Sequence, residues 1–265
     1  MDAFYMEVLK DLLRSNVLHR KMRILVLCRG QTDRDVLVHC GFQDCVISNL
    51  DVRTTGSEFH PLEWSLQDAE NLSFEDNSFD FCIVHSGLHH CYSPHRTWLE
   101  MYRVARKGLL LFEPYDNFLT RLGVMLKFGQ EYEHAAVFYN ECSYGGVRNS
   151  SIPNYVYRWT EEEIVKTINS GAPYGKHTFR FVHKLRIPWG QLKGRKYRPY
   201  YDATLLLLPL LRALSIVLPR RSNNFAALVL KPELPRDLHP WLRLEDNTIK
   251  LNAQWLAKRY RPKRT

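Results

Sequence analysis

Apolar residues along this chain follow two spacings. Compact runs of aliphatic and aromatic residues at Arg23 to Cys28, Cys45 to Ser48, Phe81 to His85, Leu109 to Phe112 and Phe225 to Leu230 read as buried strands. Between them, apolar positions recur every three or four residues, as in Trp98, Met101, Tyr102 and Ala105. That spacing predicts a helix over Pro94 to Ala105, with Ser93 as N-cap, Pro94 at the first helical position and Gly108 just past the end. Strand, helix and strand in that order make a right-handed βαβ unit of a parallel sheet. Phe4, Val8, Leu12 and Leu13 form an apolar stripe on a first helix, suited to packing on a core or covering a pocket mouth. Asp68 is expected to follow a loop. Later, Thr160 and Glu163 form a capping-box pattern, a strand falls within His177 to Trp189, and Leu205 to Leu218 reads as a helix. The last two strands are expected to form an antiparallel edge. The run Ala203 to Leu218, broken by Pro209 and Arg212, is expected to be a core or interface helix rather than a membrane span.

The stretch Asp68 to Pro114 reads DAENLSFEDNSFDFCIVHSGLHHC and, further on, MYRVARKGLLLFEP. It resembles the small-molecule (type 11-like) branch of the class I S-adenosylmethionine-dependent methyltransferases, with several patches in the same order and at compatible spacing. The likeness is weaker over Met22 to Asp51 and architectural beyond Tyr115. It implies a Rossmann-like α/β fold: a mainly parallel seven-stranded sheet, helices on both faces and a cap inserted after strand five.

The resemblance also implies a cofactor, S-adenosyl-L-methionine, and places for it. The turn after the first strand corresponds to the family's glycine-rich loop, but here the motif is degenerate. Cys28, Gly30 and Thr32 occupy the three glycine positions, and Val26 stands where an acidic residue is common. A position there that needed positive φ would be strained. Asp51, at the end of the second strand, is the expected acceptor for the ribose hydroxyls, with Asn49 as competitor. A simple Asx turn is the alternative. Asp68 and Ala69 are implied to lie beside adenine. His85 or Ser86 would line the methionine end, because open parallel sheets bind ligands at the carboxyl ends of their strands.

Deprotonating an attacking hydroxyl calls for an acceptor of near-neutral pKa, so His89, His90 and His134 are the candidate catalytic residues. Methyl transfer draws its activation from the cofactor and the His and carboxylate spacing suggests no ligand set, so no metal is expected. The segment Tyr115 to Ser151 is rich in aromatic and charged residues, and Glu113, Tyr132, Tyr139 and Arg195 are the expected substrate contacts. Glu131 and Glu133 are further residues to test.

Composition adds three points. With 265 residues and 45% hydrophobic content, the chain can bury a full core. A formal charge of +9, with no acidic residue between Glu163 and Asp202, suggests a small phosphorylated or glycan acceptor. An RNA acceptor is the rival on charge alone, although no RNA-binding module accompanies it. Six cysteines without a C-x-x-C pair suggest reduced thiols and a cytoplasmic setting. The expected organisation is an N-terminal helix over 1–20, a cofactor-binding core over 21–114, a substrate cap over 115–158, the rest of the core over 159–232 and a basic tail over 233–265. The expected reaction is O-methylation of a sugar, glycan intermediate or similar hydroxylated metabolite; the alternative is a methyltransferase-like scaffold without turnover. Self-association as a homodimer stays open.

Overall fold

The structure is a computed structural model that describes every residue except 1, 29, 188, 193–197 and 261–265. In chain order its elements are α1 (Ala3–Arg14), β1 (Ile24–Leu27), α2 (Gln31–His39), β2 (Cys45–Asn49), β3 (Glu63–Leu66), β4 (Phe79–His85), α3 (Pro94–Val104) and β5 (Ala105–Pro114). There follow α4 (Phe118–Met125), α5 (His134–Phe138), α6 (Glu161–Gly171), β6 (Thr178–Lys184), α7 (Trp189–Leu192), α8 (Arg198–Val217), β7 (Asn224–Leu230), β8 (Leu242–Glu245), β9 (Thr248–Leu251) and α9 (Ala253–Arg259).

Seven strands form one sheet in the order β3-β2-β1-β4-β5-β7-β6. β1 pairs in parallel with β2 and β4, β2 with β3, and β4 with β5. β7 alone runs against its neighbours β5 and β6, so the outermost strand, β6, points the same way as the parallel set. The antiparallel strand therefore lies one place in from the edge, because the excursion through α7 and α8 brings the chain back at the sheet end where β6 left it.

The sheet is covered on both faces. On one, α1 and α2 bury Tyr5, Leu9, Leu12, Val36 and Leu37 against Ile24, Val26, Ile83 and Phe112. On the other, α3 and α6 bury Trp98, Met101, Ile164 and Ile168 against Leu25, Leu27, Val84 and Leu111. The strand residues divide between the two cores in the two-residue alternation of a pleated sheet. Local signals set the helix starts. Asp2 caps α1 by accepting from the Phe4 and Tyr5 amides. Ser93 caps α3 with Pro94 inside the first turn, and Thr160 and Glu163 close a full capping box on α6.

Three elements differ from the sequence expectation. β3 occupies part of the supposed loop before Asp68; it is a partly exposed edge strand, so no apolar run marked it. Gly108 does not stop α3, which passes at Ala105 directly into β5. Gly108 sits inside that strand, where a Cβ would meet the Val229 carbonyl at 2.6 Å and the Phe81 ring at 2.8 Å. The supposed basic tail contains an antiparallel hairpin, β8 and β9, turned through Asp246 and Asn247, both with positive φ. An Asp-Asn pair between two short strands was the signal for it.

Candidate functional site

The carboxyl ends of β1, β2 and β4 open into a cleft of about 420 Å³, within the range of small-molecule sites. Its floor is the turn after β1. Cys28 there adopts a left-handed conformation, φ +60°, in the first glycine position. The turn is accommodated by Gly87 after β4, whose missing side chain leaves room: a Cβ there would stand 2.5 Å from the Cys28 Cβ. Gly30, at the N-terminus of α2, has no heavy atom within 4 Å of where a Cβ would be, so the floor is open beside it.

Three acidic side chains line the cleft, and two arginines hold them. Asp51 takes both Nε and Nη2 of Arg53, at 2.7 and 2.6 Å. That guanidinium holds the Asp51 carboxyl below the usual carboxylate range and lies over the Tyr144 ring. Arg148 reaches from the segment after β5 to donate to Asp68 at 2.9 Å and to Glu70 at 3.0 Å. Burial raises the Asp68 pKa, but Arg148 and the Glu70 amide outweigh it and the net shift is downward. Glu70 also accepts from the Tyr92 and Ser93 amides, which ties this corner to the start of α3. Neither Arg53 nor Arg148 was marked by the sequence. Arg53 is a local partner, two residues past Asp51, whereas Arg148 becomes a cleft residue only when a distant loop folds over the strand ends.

Beside this cleft stand two imidazoles and two carboxylates. Glu113, fully buried near the end of β5, accepts from the Gly87 and Leu88 amides at 2.7 and 2.8 Å, and its other oxygen lies 2.7 Å from His89 Nδ1. His89 Nε2 and His90 Nε2 lie 3.4 and 3.3 Å from Glu133 Oε2. Burial opposes charge on His89, yet Glu113 and Glu133 outweigh it and raise its pKa to about 9. Burial likewise opposes charge on Glu133, and the two imidazoles overcome it, so its carboxyl is held well below the usual range. Ligand atoms of His89, His90 and Glu133 all fall within 4.8 Å of one another, close enough for a metal ion to bridge. Sequence spacing gave no hint of the group, because Glu133 arrives from the segment between β5 and α6.

A second, larger cleft of about 990 Å³ lies in that same segment, lined by Glu131, Tyr132, His134, Tyr155 and Arg158 among others. Glu133 bridges the two: its carboxylate holds His90, which lines the first cleft, while its chain neighbours Tyr132 and His134 line the second.

The first cleft brings together Cys28, Gly30, Asn49, Asp51, Asp68 and Ala69. Asn49 does make an Asx turn, accepting from the Asp51 amide at 3.1 Å. His85 and Ser86 are not among the lining residues. Strand alternation turns His85 to the opposite face, where it stacks with Tyr5 at 4.8 Å and meets Asp2 at 3.4 Å and Asp33 at 3.8 Å. Ser86 takes a positive φ and donates its amide to Phe112. Glu113 cannot touch an acceptor, since it is sealed beneath His89. Tyr139 is 82% exposed and lines neither cleft. The His134 ring faces Tyr132 and is not part of the His89 and His90 group. Arg195 lies outside the described residues.

Residues 44–112 match a family model described as a methyltransferase domain. Among solved structures, the YcgJ protein of Bacillus subtilis is similar with a TM-score of 0.52 and 13% identity, covering 86% of this chain and 99% of its own. A Thermotoga maritima S-adenosylmethionine-dependent methyltransferase, described as a possible histamine N-methyltransferase, is 17% identical with a TM-score of 0.48, over 84% and 88% of the two chains. No curated protein matches the chain. Residues 44–112 thus carry a methyltransferase domain, set in a sheet whose order and carboxyl-edge cleft are those of the Rossmann-like methyltransferase fold. The cofactor of that domain is S-adenosylmethionine.

Proposed function

We propose that the enzyme methylates a hydroxyl oxygen of a polar small molecule, a sugar or glycan intermediate carrying a phosphate. The observation that supports this most is the position of Glu133, between the imidazole that lines the first cleft and the wall of the second. In this reading the cofactor lies in the first cleft and the acceptor in the second. Asp51 takes the ribose hydroxyls and Asp68 the adenine edge, with Arg53 and Arg148 giving way as they bind. The cleft volume, the open floor at Gly30 and the acids at the ends of β2 and β3 fit such a nucleoside.

When bound, S-adenosylmethionine supplies a methyl group already activated on a sulfonium, so the protein's task is alignment and proton removal. His90 is the proposed proton acceptor. Glu133 holds its ring and stabilises the imidazolium that forms as the hydroxyl oxygen bonds to the methyl carbon and the carbon–sulfur bond breaks. His89, already charged, is a poor acceptor; it fixes Glu133 instead. Arg121, Lys127 and Arg158 in the second cleft are cations suited to an acceptor phosphate. The absence of any disulfide among the six cysteines is in keeping with a cytoplasmic setting.

Calorimetry and turnover together test this. Asp51→Ala should weaken S-adenosylmethionine binding at least tenfold, since hydrogen bonds to a charged group contribute about 1.5–3 kcal/mol. His90→Ala should lower kcat about a hundredfold or more on a phosphosugar acceptor while cofactor affinity holds. Undiminished turnover in His90→Ala would overturn the assignment. The arginines on Asp51 and Asp68 favour one other reading, a scaffold whose cleft is held shut; wild-type protein that binds no cofactor in calorimetry would establish it.

A further inference from the structure

Helix α8 was expected to be a core or interface helix, and the structure places none of its Tyr200–Val217 window in the core. That window has a mean hydropathy of 1.4 and is long and apolar enough to cross a membrane by length and composition. Leu206 is 82% exposed and Ile216 79%, with Leu205, Leu207, Leu210 and Val217 also open to solvent. A helix with this much uncovered apolar surface belongs against a partner or in lipid. Cap helix α4 extends the same surface: Phe118 and Met125 are exposed, the Phe128 and Tyr200 rings meet edge-on at 5.1 Å, and Asn117 Nδ2 donates to the Ser222 carbonyl at 2.6 Å.

Charge indicates what covers this face. Between residues 164 and 232 there are thirteen lysines and arginines and one acidic residue, Asp202. Arg198 opens α8 and Arg220 follows it; both are largely exposed, paired with Asp202 and Glu161, while Arg212 and Arg221 make no ion pair among the described residues. Apolar surface bordered by cations is complementary to anionic lipid.

We propose that α8, with α4 beside it, lies in the headgroup region of an anionic bilayer. The connections exclude a simple crossing. β6 ends at Lys184, which pairs with Asn224 at the start of β7, and Asn224 also pairs with Pro114 at the end of β5. The chain thus leaves and rejoins the sheet at one place. A spanning α8 would require the approach through Arg186, Lys193, Arg195 and Lys196 to traverse the hydrocarbon as well, and cations are costly there. Both ends of the excursion lie at the sheet edge that carries the cofactor cleft, so docking brings the second cleft to the lipid surface. Resting on the proposed acceptor reading, this assigns the acceptor to the lipid-phosphate-linked class rather than to free phosphosugars.

Flotation of the full chain with vesicles, without cofactor or acceptor, tests the docking apart from the chemistry. Wild-type protein should float with phosphatidylcholine vesicles containing phosphatidylglycerol and not with phosphatidylcholine alone. Leu206→Asp with Leu210→Asp should reduce the bound fraction about tenfold with the melting temperature kept, and Arg212→Glu with Arg221→Glu should do the same. The proposal is overturned if wild-type protein never floats. It is equally overturned if sedimentation shows a dimer that the aspartate variant dissociates while flotation is nil, since a second copy then covers the face. If the protein floats but methylates water-soluble phosphosugars as well as lipid-linked ones, docking stands and the acceptor assignment falls.

Discussion

Glu113 Oε2 stands 2.7 Å from His89 Nδ1, with the carboxylate fully buried and its second oxygen taken by two backbone amides. One side chain thus fixes both the loop after β4 and the ring it presents. Glu113→Gln keeps the volume but turns an amide toward donors and leaves the imidazolium without its partner. Breaking a buried pair in this way should cost about 3 kcal/mol or more, read from denaturant unfolding. Unchanged stability would mean that His89 is neutral and the pair is an ordinary hydrogen bond.

The same pair sets a pH dependence. Because the His89 pKa is raised from its ordinary 6.5 to about 9, its contribution is fully present below pH 6.5 and lost as pH rises through about 9. The amount is on the order of 3 kcal/mol. Glu133, shifted downward, acts in the opposite sense: its contribution is present above the ordinary carboxylate range and lost as the pH falls below it. Thermal unfolding from pH 6 to pH 10 should show the alkaline loss, and Glu113→Gln should flatten it.

Two residues form the floor of the first cleft together. Gly87→Ala would press a methyl against Cys28, at 2.5 Å between Cβ positions, and should destabilise by about 1–3 kcal/mol. Cys28→Gly relieves the left-handed strain and removes the obstructing Cβ, so the double variant should recover much of the loss. Additive effects in that cycle would show that the contact is not the cause.

Donor atoms within 4.8 Å of one another at His89, His90 and Glu133 could hold a metal, but an imidazolium already balances the carboxylates there. Chelator treatment should leave turnover and melting temperature unchanged. Lost turnover that a divalent ion restores would make the group a metal site.

The capping box on α6, with the Glu163 amide donating to Thr160 Oγ1 at 3.1 Å and the Thr160 amide donating to Glu163 at 2.8 Å, should lose about 1 kcal/mol in Thr160→Ala. Thermal melting measures it.

Strand runs, helix caps and the patches from Asp68 to Pro114 were sufficient to specify a parallel sheet and its cofactor, because these depend on residues near one another in sequence. The pleat of β4 sends His85 to the face opposite the cleft, a matter of register that a residue's place at a strand end does not reveal. Arg148 on Asp68 and Glu133 on two imidazoles are pairings between distant segments, and only the folded chain closes them. The apolar run of α8 was plain in the sequence as well. That it stays outside the core is visible only in the folded chain: α8 leaves uncovered even the cleft of about 350 Å³ beside α1 over β5, β6 and β7, lined by Phe4, Val8, Leu110, Val182 and Leu228.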